Sequence, residues 1–239
     1  MLVERGIWHM KVALCLIVWN ELGGLKHDLP LLDRAQFDQI YCIDGGSTDG
    51  SVEYLREMGI EVFTQQKKGL NQACKEGAEK CKCDAFVFFH PKGTVPVEDT
   101  YKFREYFEKG YDLVIASRMM KESVNEEDTK FFKPRKWFVL FLGLIAKILF
   151  KRDGGATVWD TLHGFRGMKL NAFNDLEISD MSPSIDIEMV CRAYKLKKTR
   201  IEFPTKEGTR IEGTTHFKAF ATGKKLIKYI LWEISRGFK

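Results

Sequence analysis

Short apolar runs alternate with amphipathic segments along the first half of the chain, and this alternation constrains the fold more than any other feature. The runs predict strands at 11–19, 39–43, 60–64, 85–89 and 112–116. Strands that alternate with helices form a mostly parallel sheet with helices on both faces. Residues 160–169 carry no strand pattern and are predicted to form a loop. With 239 residues, the chain is long enough for one such α/β domain.

The stretch from Tyr41 to Ser51 joins the end of a predicted strand to a glycine-rich turn. Its sequence is YCIDGGSTDGS, so Asp44 ends the apolar run and two glycines follow it. Glycines let the backbone bend sharply and approach a ligand closely. Ligands usually bind at the carboxyl edge of an open α/β sheet. Asp44 is therefore a candidate binding residue, although a tight strand-to-helix turn with a capping acid explains the same pattern.

The net charge of +5 is unevenly distributed along the chain. From Lys195 to the last residue there are twelve Lys or Arg and four Glu. A basic segment of this kind favours an anionic partner, such as a phosphate ligand or a membrane surface, or is a solvated face. Because the segment has no recognised nucleic-acid-binding module and no aromatics interleaved with its lysines, we do not expect nucleic acid as a partner.

Two segments in the second half are apolar enough to contact a membrane. Residues 131–151 contain an apolar run shorter than the roughly 20 residues that a span requires. This leaves a core helix or a helix lying in a membrane interface. Residues 217–239 predict a basic amphipathic helix that either docks on the domain or adheres to a membrane. We expect an N-terminal extension at 1–9 and the α/β domain at 10–216.

Two features bear on the cellular compartment. The six cysteines lack the spacing of a zinc site and are typical of a reduced, cytoplasmic protein. Residues 1–9 resemble neither a signal peptide nor a transit peptide, because their apolar content is too sparse. A cytoplasmic protein is therefore predicted.

Six short motifs occur in an order and spacing that point to one protein family. They are WNE (19–21), IDGGSTDG (43–50), KGL (68–70), DLVIASR (112–118), DTLHGFR (160–166) and DIE (186–188). The chain resembles family 2 glycosyltransferases, nearest the polyprenyl-phosphate sugar synthases of the dolichol-phosphate mannose synthase type. The resemblance extends from Met10 to the end. It implies an enzyme with the GT-A fold, which is a mostly parallel central sheet with helices on both faces.

The resemblance also implies which residues bind a nucleoside diphosphate sugar. In the family, the residues that match Trp19, Glu21 and Asp44 hold the base and the ribose. This chemistry is reasonable, because an aromatic ring stacks on a base and carboxylates accept hydrogen bonds from ribose hydroxyls. The implied donor-binding set is Trp19, Glu21, Asp44, Gly69, His90, Lys92, Arg118, Arg210 and Lys218.

The chain departs from the family where the family binds a divalent metal. The family has Asp-x-Asp after the central strand, whereas this chain has His90-Pro91-Lys92. Since a charged lysine is not a metal ligand, we hypothesise that Lys92 itself neutralises the diphosphate and stabilises its departure. His90 stays a candidate metal ligand, and no cofactor is firmly predicted, although Mg²⁺ or Mn²⁺ is compatible with the family. The alternative is a degenerate, non-catalytic module that binds nucleotide sugars.

The resemblance favours polyprenyl phosphate as the acceptor, with inversion at the transferred sugar. Lys133, Arg135 and Lys136 precede the apolar helix and are candidates to hold the acceptor phosphate. A phosphate monoester is already an anion, so positioning and charge compensation would carry most of the rate. Lys92, Asp160 and His163 form the predicted catalytic set.

Another acceptor is compatible with the same motifs. If the acceptor were the hydroxyl of a glycan or of a lipid-linked sugar, Asp160 or His163 would be the candidate general base. No Gln-x-x-Arg-Trp motif is present, which argues against the processive polysaccharide synthases of the family. We expect a peripheral protein at the cytosolic face of a membrane, attached by its own helices or by a membrane protein partner.

Overall fold

The computed structural model describes residues 10–129, 131–212 and 219–237, with side chains omitted at 219 and 220. The predicted extension at 1–9 and the candidate residue Lys218 lie outside the described residues. The strands are β1 Val12–Val18, β2 Gln39–Asp44, β3 Glu61–Thr64, β4 Ala85–Phe89, β5 Leu113–Ser117, β6 Arg166–Lys169 and β7 Arg200–Pro204. The helices are α1 Leu22–Asp28, α2 Ser51–Glu57, α3 Leu70–Lys80, α4 Asp99–Glu108, α5 Pro134–Phe150, α6 Leu170–Asp175, α7 Ile185–Lys195 and α8 Ala219–Ser235.

The strands form one seven-stranded sheet in the order β3-β2-β1-β4-β6-β5-β7. All neighbouring pairs are parallel except β4–β6 and β5–β6, which are antiparallel. The central strands β1, β4 and β5 are buried along their whole length, as their apolar sequences predict. The predicted mostly parallel α/β sheet is therefore confirmed.

The segment predicted as a loop at 160–169 is wrong at its end, because residues 166–169 form strand β6. Its sequence, RGMK, contains a glycine and two cations, so it does not show the apolar pattern that predicts a strand. Gly167 is needed there, since a Cβ would lie 2.7 Å from the Phe86 carbonyl oxygen of β4. Arg166 is fully buried, and it donates to the carbonyl of His163 three residues away and to the carbonyl of Asp186, which no local pattern reveals.

Helices cover both faces of the sheet and give two hydrophobic layers. One layer contains side chains of α3, α5, α6, α7 and α8, and the other contains side chains of α1, α2 and α4. Strands contribute alternate side chains to each layer, as the pleat requires. This packing leaves the carboxyl ends of the parallel strands free to carry functional loops.

Helix α5 buries one face and exposes the other. Its residues Leu142 and Ala146 are fully buried, whereas Phe141 and Ile148 are 52% and 63% exposed. The buried face fits the interpretation as a core helix, whereas the interpretation as a helix lying in a membrane interface stays a prediction. No helix within the described ranges is long and apolar enough to cross a membrane.

Helix α8 docks on the domain through a buried charged network. Lys195 of α7 donates to the Glu233 carboxylate at 2.6 Å, and the Tyr229 hydroxyl donates to the same carboxylate at 3.1 Å. Its opposite face is apolar and exposed at Ile227 and Leu231. The exposed face therefore continues the exposed apolar face of α5, and the two helices line one shallow apolar groove.

Candidate active site

The loops that follow β1, β2, β4 and β5 meet at one edge of the sheet. They carry Trp19 and Glu21, Asp44, the segment 90–92, and Arg118, in that order. Because these strands run in the same direction, their carboxyl ends lie side by side. The structure thus brings together the predicted donor-binding residues of the first half of the chain.

Asp44 at the end of β2 is buried and holds the glycine-rich turn closed. Its carboxylate accepts hydrogen bonds from the backbone N–H of Gly46 at 2.8 Å and of Ser47 at 3.0 Å. Gly46 has a φ of 92°, a conformation that favours glycine. Asp44 therefore stabilises the turn between β2 and α2, but it does not cap α2, whose N-cap residue is Gly50 without a side-chain cap hydrogen bond. A carboxylate has about four acceptor positions, so a bound ligand can share it.

The loops after β1 and β2 are joined to each other. The Ser47 hydroxyl accepts a hydrogen bond from the Asn20 N–H at 2.8 Å, and the Asn20 side-chain oxygen accepts one from Thr48 N–H at 2.8 Å. Gly45 packs against Trp19, since a Cβ there would lie 3.2 Å from that of the tryptophan. Trp19 is 48% exposed beside this joint.

Gly69 lies next to the Asp44 end of the sheet. Gln65 connects the two, because its N–H donates to the Asp44 carbonyl at 2.8 Å and its side-chain amide donates to the Gly69 carbonyl at 2.8 Å. Gly69 has a φ of 113°, and a Cβ at this position would lie 3.0 Å from Ser182. Glycine is therefore required at this turn into α3.

Glu21, the second predicted nucleoside-binding residue, is buried and forms an ion pair with Arg210. The same guanidinium donates through Nε to the Glu212 carbonyl at 2.7 Å. Two predicted donor-binding residues that are distant in sequence are thus in direct contact. In this arrangement Arg210 pairs with the Glu21 carboxylate, which the sequence analysis assigns to ligand binding.

Lys92 follows the end of β4 and interacts electrostatically with both Glu21 and Arg210. A Cβ on Gly24 of α1 would be 2.7 Å from the Lys92 Cα, so the helix packs directly on this segment. No hydrogen bond or ion pair joins the Lys92 ammonium to another residue of the described part of the chain. Burial lowers the pKa of Lys92, and Glu21 opposes this effect while Arg210 adds to it. Glu207 and Asp186 also raise the pKa of Lys92, but burial is the larger effect and the pKa stays below its ordinary value. Lys92 is therefore a poorly compensated cation that is suited to an anionic ligand.

His90 precedes Lys92 by two residues, and its imidazole is neutral. Its ring packs on Gly164, where a Cβ would be 2.8 Å from Nε2. Burial and the neighbouring Lys92 charge hold the pKa of His90 well below its ordinary value. A neutral imidazole can ligate a metal, but it contributes no charge to a diphosphate.

The residues in this crevice do not fit the divalent metal that the family binds. Within 10–129, 131–212 and 219–237, no three His, Cys, Asp or Glu side chains are grouped to hold a metal ion. Three neighbouring carboxylates already pair with an arginine: Glu21 with Arg210, Asp160 with Arg118, and Asp186 with Arg166. The strand end that carries Asp-x-Asp in the family carries the Lys92 cation here.

Arg118 and Asp160 form a buried bidentate pair beside this position. The Arg118 Nε and Nη2 donate to the two Asp160 oxygens, each at 2.9 Å, and the Arg118 N–H adds a bond of 2.8 Å. The Arg118 Nη1 donates to Glu207 at 3.0 Å. Burial raises the pKa of the Asp160 carboxyl, but the Arg118 contacts outweigh burial and hold that pKa well below its ordinary value. Asp160 is therefore a stable carboxylate and a weak base.

His163 has a fixed tautomer. Its Nδ1 lies 2.6 Å from the Ala116 carbonyl oxygen, which only accepts, so Nδ1 carries the proton. Burial and Arg118 lower the pKa of His163 to about 3. Its Nε2 is 4.0 Å from a Glu207 oxygen and is left as an acceptor. The side chain can accept a hydrogen bond from a sugar hydroxyl, but it is a poor general base.

Two acidic residues of this site were not among the candidates from the sequence. Asp186 occurs within the DIE motif, and its pKa is raised by burial, with Arg166 opposing that effect. Glu207 had no signal at all, because its partner Arg118 is 89 residues away. The motif spacing could have marked Asp186 as a candidate, whereas Glu207 emerges only from the folded chain.

The three cations predicted to hold an acceptor phosphate lie at the start of α5 and pair with acids of the preceding segment. Lys133 and Lys136 contact Asp128 at 3.4 and 2.5 Å, and Arg135 contacts Glu126. This segment reaches the crevice, because the Val124 carbonyl accepts a hydrogen bond from the Glu207 N–H at 2.9 Å. A phosphate at these cations would compete with the two carboxylates.

Comparison with known protein families and curated proteins gives consistent matches. The model of glycosyl transferase family 2 matches residues 20–176. A dolichyl-phosphate hexose transferase of Haloferax volcanii is 26% identical over 228 residues, which cover 93% of this chain and 95% of the relative. Glycosyltransferase AglJ of the same organism is 26% identical over 209 residues, which cover 84% of this chain and 65% of that protein.

Solved structures match the fold over nearly the whole chain. Glucosyl-3-phosphoglycerate synthase from Mycobacterium tuberculosis, in complex with Mn²⁺, uridine diphosphate and glucosyl-3-phosphoglycerate, superposes with a TM-score of 0.66 at 14% identity, over 95% of this chain and 80% of that chain. The same enzyme with Mn²⁺, UDP-glucose and phosphoglyceric acid gives 0.68 at 15% identity, over 95% of this chain and 80% of that one. The predicted GT-A fold is confirmed.

Proposed function

The chain belongs to glycosyl transferase family 2, and from this premise we propose that it transfers a sugar, with inversion, from a nucleoside diphosphate sugar to polyprenyl phosphate without a divalent metal. Its predicted class, a glycosyltransferase that uses a nucleotide sugar, is confirmed by the family match and agrees with the curated relative. The acceptor, the independence from metal and the membrane face are the proposal. The observation that carries it is the poorly compensated Lys92 cation where the family places its metal-binding acids.

The proposed role of Lys92 follows from charge balance. A nucleoside diphosphate brings two or more negative charges into the crevice, and its departure requires them to be stabilised. Arg118 pairs with two carboxylates, Asp160 and Glu207, whereas Arg210 pairs with Glu21. Lys92 forms no ion pair in the described part of the chain, so Lys92 and then Arg210 are the cations best placed to respond. An ammonium presents one charge and three donors in a partly dry site, where electrostatic stabilisation is strongest.

The acceptor is inferred from the lack of a good base at the predicted positions. Asp160 is held ionised by Arg118, and His163 is neutral with a pKa of about 3. Neither side chain is suited to take a proton from a hydroxyl near neutral pH. A phosphate monoester needs no such base, because its oxygen is already anionic. The relative named dolichyl-phosphate hexose transferase supports the same acceptor class.

The start of α5 is the proposed site for the acceptor phosphate. Lys133, Arg135 and Lys136 lie there, next to a segment that contacts the strand-end crevice through Glu207. The exposed apolar face of the same helix would lie along the lipid chain. We propose that Asp128 and Glu126 hold these cations until an acceptor phosphate replaces them.

The exposed faces of α5 and α8 are the proposed membrane surface. They present Phe141, Ile148, Ile227 and Leu231 together, and this apolar patch is flanked by the lysines of α8. Apolar side chains beside lysines are typical of helices that lie in the interface of an anionic membrane. We propose peripheral attachment at the cytosolic face through these helices.

One observation favours a second candidate, transfer to a sugar hydroxyl. Burial raises the pKa of Asp186, which would make this carboxylate a better base than Asp160 or His163. Its Oδ1 lies 3.2 Å from Arg166 Nε, so a proton taken by Asp186 would weaken that contact. Under this alternative, replacing Asp186 with Asn would abolish transfer, whereas a phosphate acceptor would tolerate the change.

The deciding experiment compares acceptors and metal together. A thermal-shift screen of nucleoside diphosphate sugars, run with EDTA and with Mn²⁺, first identifies the donor. Transfer from that donor is then measured to polyprenyl phosphate, to the matching polyprenol and to a soluble glycoside. We expect sugar on polyprenyl phosphate alone, at the same rate with EDTA. Donor binding without transfer to any acceptor would instead support a non-catalytic module.

A further inference from the structure

The chain that follows β7 crosses the mouth of the crevice as a strap, residues 205–212. Its backbone is held on one side by two bonds to the loop after β4, from Gly208 N–H to Thr94 O at 2.7 Å and from Ile211 N–H to Lys92 O at 3.3 Å. Thr205 anchors its start, since the hydroxyl donates to the buried Asp99 at 2.6 Å. These hydrogen bonds hold the strap in place against the loop after β4 and against α4.

The strap also packs tightly against both sides of the crevice. A Cβ on Gly23 would collide with the Glu212 carboxylate, and one on Gly93 would collide with the Ile211 side chain. These glycines therefore give the strap the space it occupies. The arrangement places Arg210 directly over Glu21.

The Arg210–Glu21 contact has an electrostatic consequence for ligand binding. Both side chains are largely buried, at 15% and 6% exposed, so a ligand cannot reach Glu21 while the pair is intact. Arg210 also adds to the lowering of the pKa of Lys92, which means that the two cations repel each other across the crevice. A ligand that offers a diphosphate relieves this repulsion, whereas an uncharged nucleoside does not.

We propose that Arg210 is a selectivity residue that makes nucleoside binding depend on the diphosphate. In the free protein it blocks Glu21, and it leaves Glu21 for the ribose or base only when a diphosphate beside Lys92 receives its charge. The inference rests on the proposed function, because it takes the nucleoside to bind at Glu21. It predicts that nucleosides bind far more weakly than their diphosphates.

The test measures binding by calorimetry for uridine with UDP and for guanosine with GDP, using the pair that the donor screen selects. Arg210→Ala is compared with the wild type and with Arg56→Ala, which removes the same charge from the exposed surface of α2. Freeing a carboxylate from a charge-assisted pair should tighten nucleoside binding about tenfold, and losing a phosphate contact should weaken diphosphate binding about tenfold. Arg56→Ala should leave both affinities unchanged, and Arg210→Gln should repeat the Ala result.

The inference requires that Arg210→Ala tightens the binding of the nucleoside and weakens the binding of the nucleoside diphosphate. If Arg210→Ala weakens both ligands, or changes neither, Arg210 does not block the nucleoside and the inference fails alone. If the wild-type protein binds no nucleoside diphosphate, the proposed function fails and this inference fails with it. Melting temperatures of all variants show whether the strap change has altered the fold.

Discussion

Replacing Lys92 with Met removes the charge at the centre of the proposed mechanism and keeps most of the side-chain volume. The ammonium has no partner within the described ranges, and burial lowers its pKa. It is therefore prepared to meet an incoming anion rather than to hold the fold. Removing one preorganised donor from a developing charge costs about 3–4 kcal/mol, so kcat should fall by roughly 10²–10³. Lys92→Arg keeps the charge and should retain more activity.

The same substitution should stabilise the protein. The pKa of Lys92 is lower in the folded state than in the unfolded state, so the unfolded chain binds more protons between the two values. Below that window the buried charge destabilises the fold, and this cost disappears only as the pH rises through it. Lys92→Met removes the cost at neutral pH. A gain of about 1 kcal/mol, typical of a poorly compensated buried group, would raise Tm by roughly 2–4 °C.

The assay measures kcat and Tm on the same preparations, with and without EDTA. Lys82→Met is the matched control, because Lys82 is exposed at the opposite end of β4. It should change neither activity nor Tm. The reasoning is refuted if EDTA abolishes wild-type activity, or if Lys92→Met keeps a nearly wild-type kcat. A large loss of Tm in Lys92→Met would show that the lysine serves the fold.

Three further predictions test the neighbouring groups. Asp160→Asn leaves the buried Arg118 with Glu207 as its remaining carboxylate partner, so denaturant unfolding should show a loss of about 3–5 kcal/mol; an unchanged midpoint would contradict the buried pair. The pKa of His163 is about 3 in the fold against an ordinary 6.5, so its contribution destabilises the protein as the pH falls from 6.5 towards 3. His163→Gln should flatten the dependence of Tm on pH in that window, and identical curves would mean that the pKa of His163 is not shifted in the fold. Leu231 is 62% exposed on α8 and should contribute to membrane binding. Leu231→Ser should therefore reduce co-sedimentation with anionic vesicles about tenfold at an unchanged Tm. Undiminished binding would exclude this face of α8 as the membrane surface.

The positions of the predicted donor-binding residues in the fold were predictable because they follow from local patterns. An apolar run that ends in Asp44 and two glycines predicts both the strand and the turn, and the direction of parallel strands places Trp19, Asp44 and Arg118 at one edge. The replacement of the family's Asp-x-Asp by His90-Pro91-Lys92 is also visible directly in the sequence. These inferences need only the period of the chain and the chemistry of single residues.

The partners of those residues were not predictable from local patterns. Arg118 meets Glu207 across 89 positions and Glu21 meets Arg210 across 189, and no local rule links residues so distant. The neutral state of His163 depends on burial and on the charge of Arg118, whereas the Ala116 carbonyl fixes only the tautomer. Buried Arg166 pairs with Asp186, which is 20 residues away.

The sequence alone thus determined the type of sheet and which side chains follow each strand, because backbone periodicity and turn chemistry act over a few residues. Which charged side chains pair with each other, and in which direction their pKa values are shifted, were decided by packing. Those properties depend on burial and on distances between side chains, which exist only once the chain has closed its long loops.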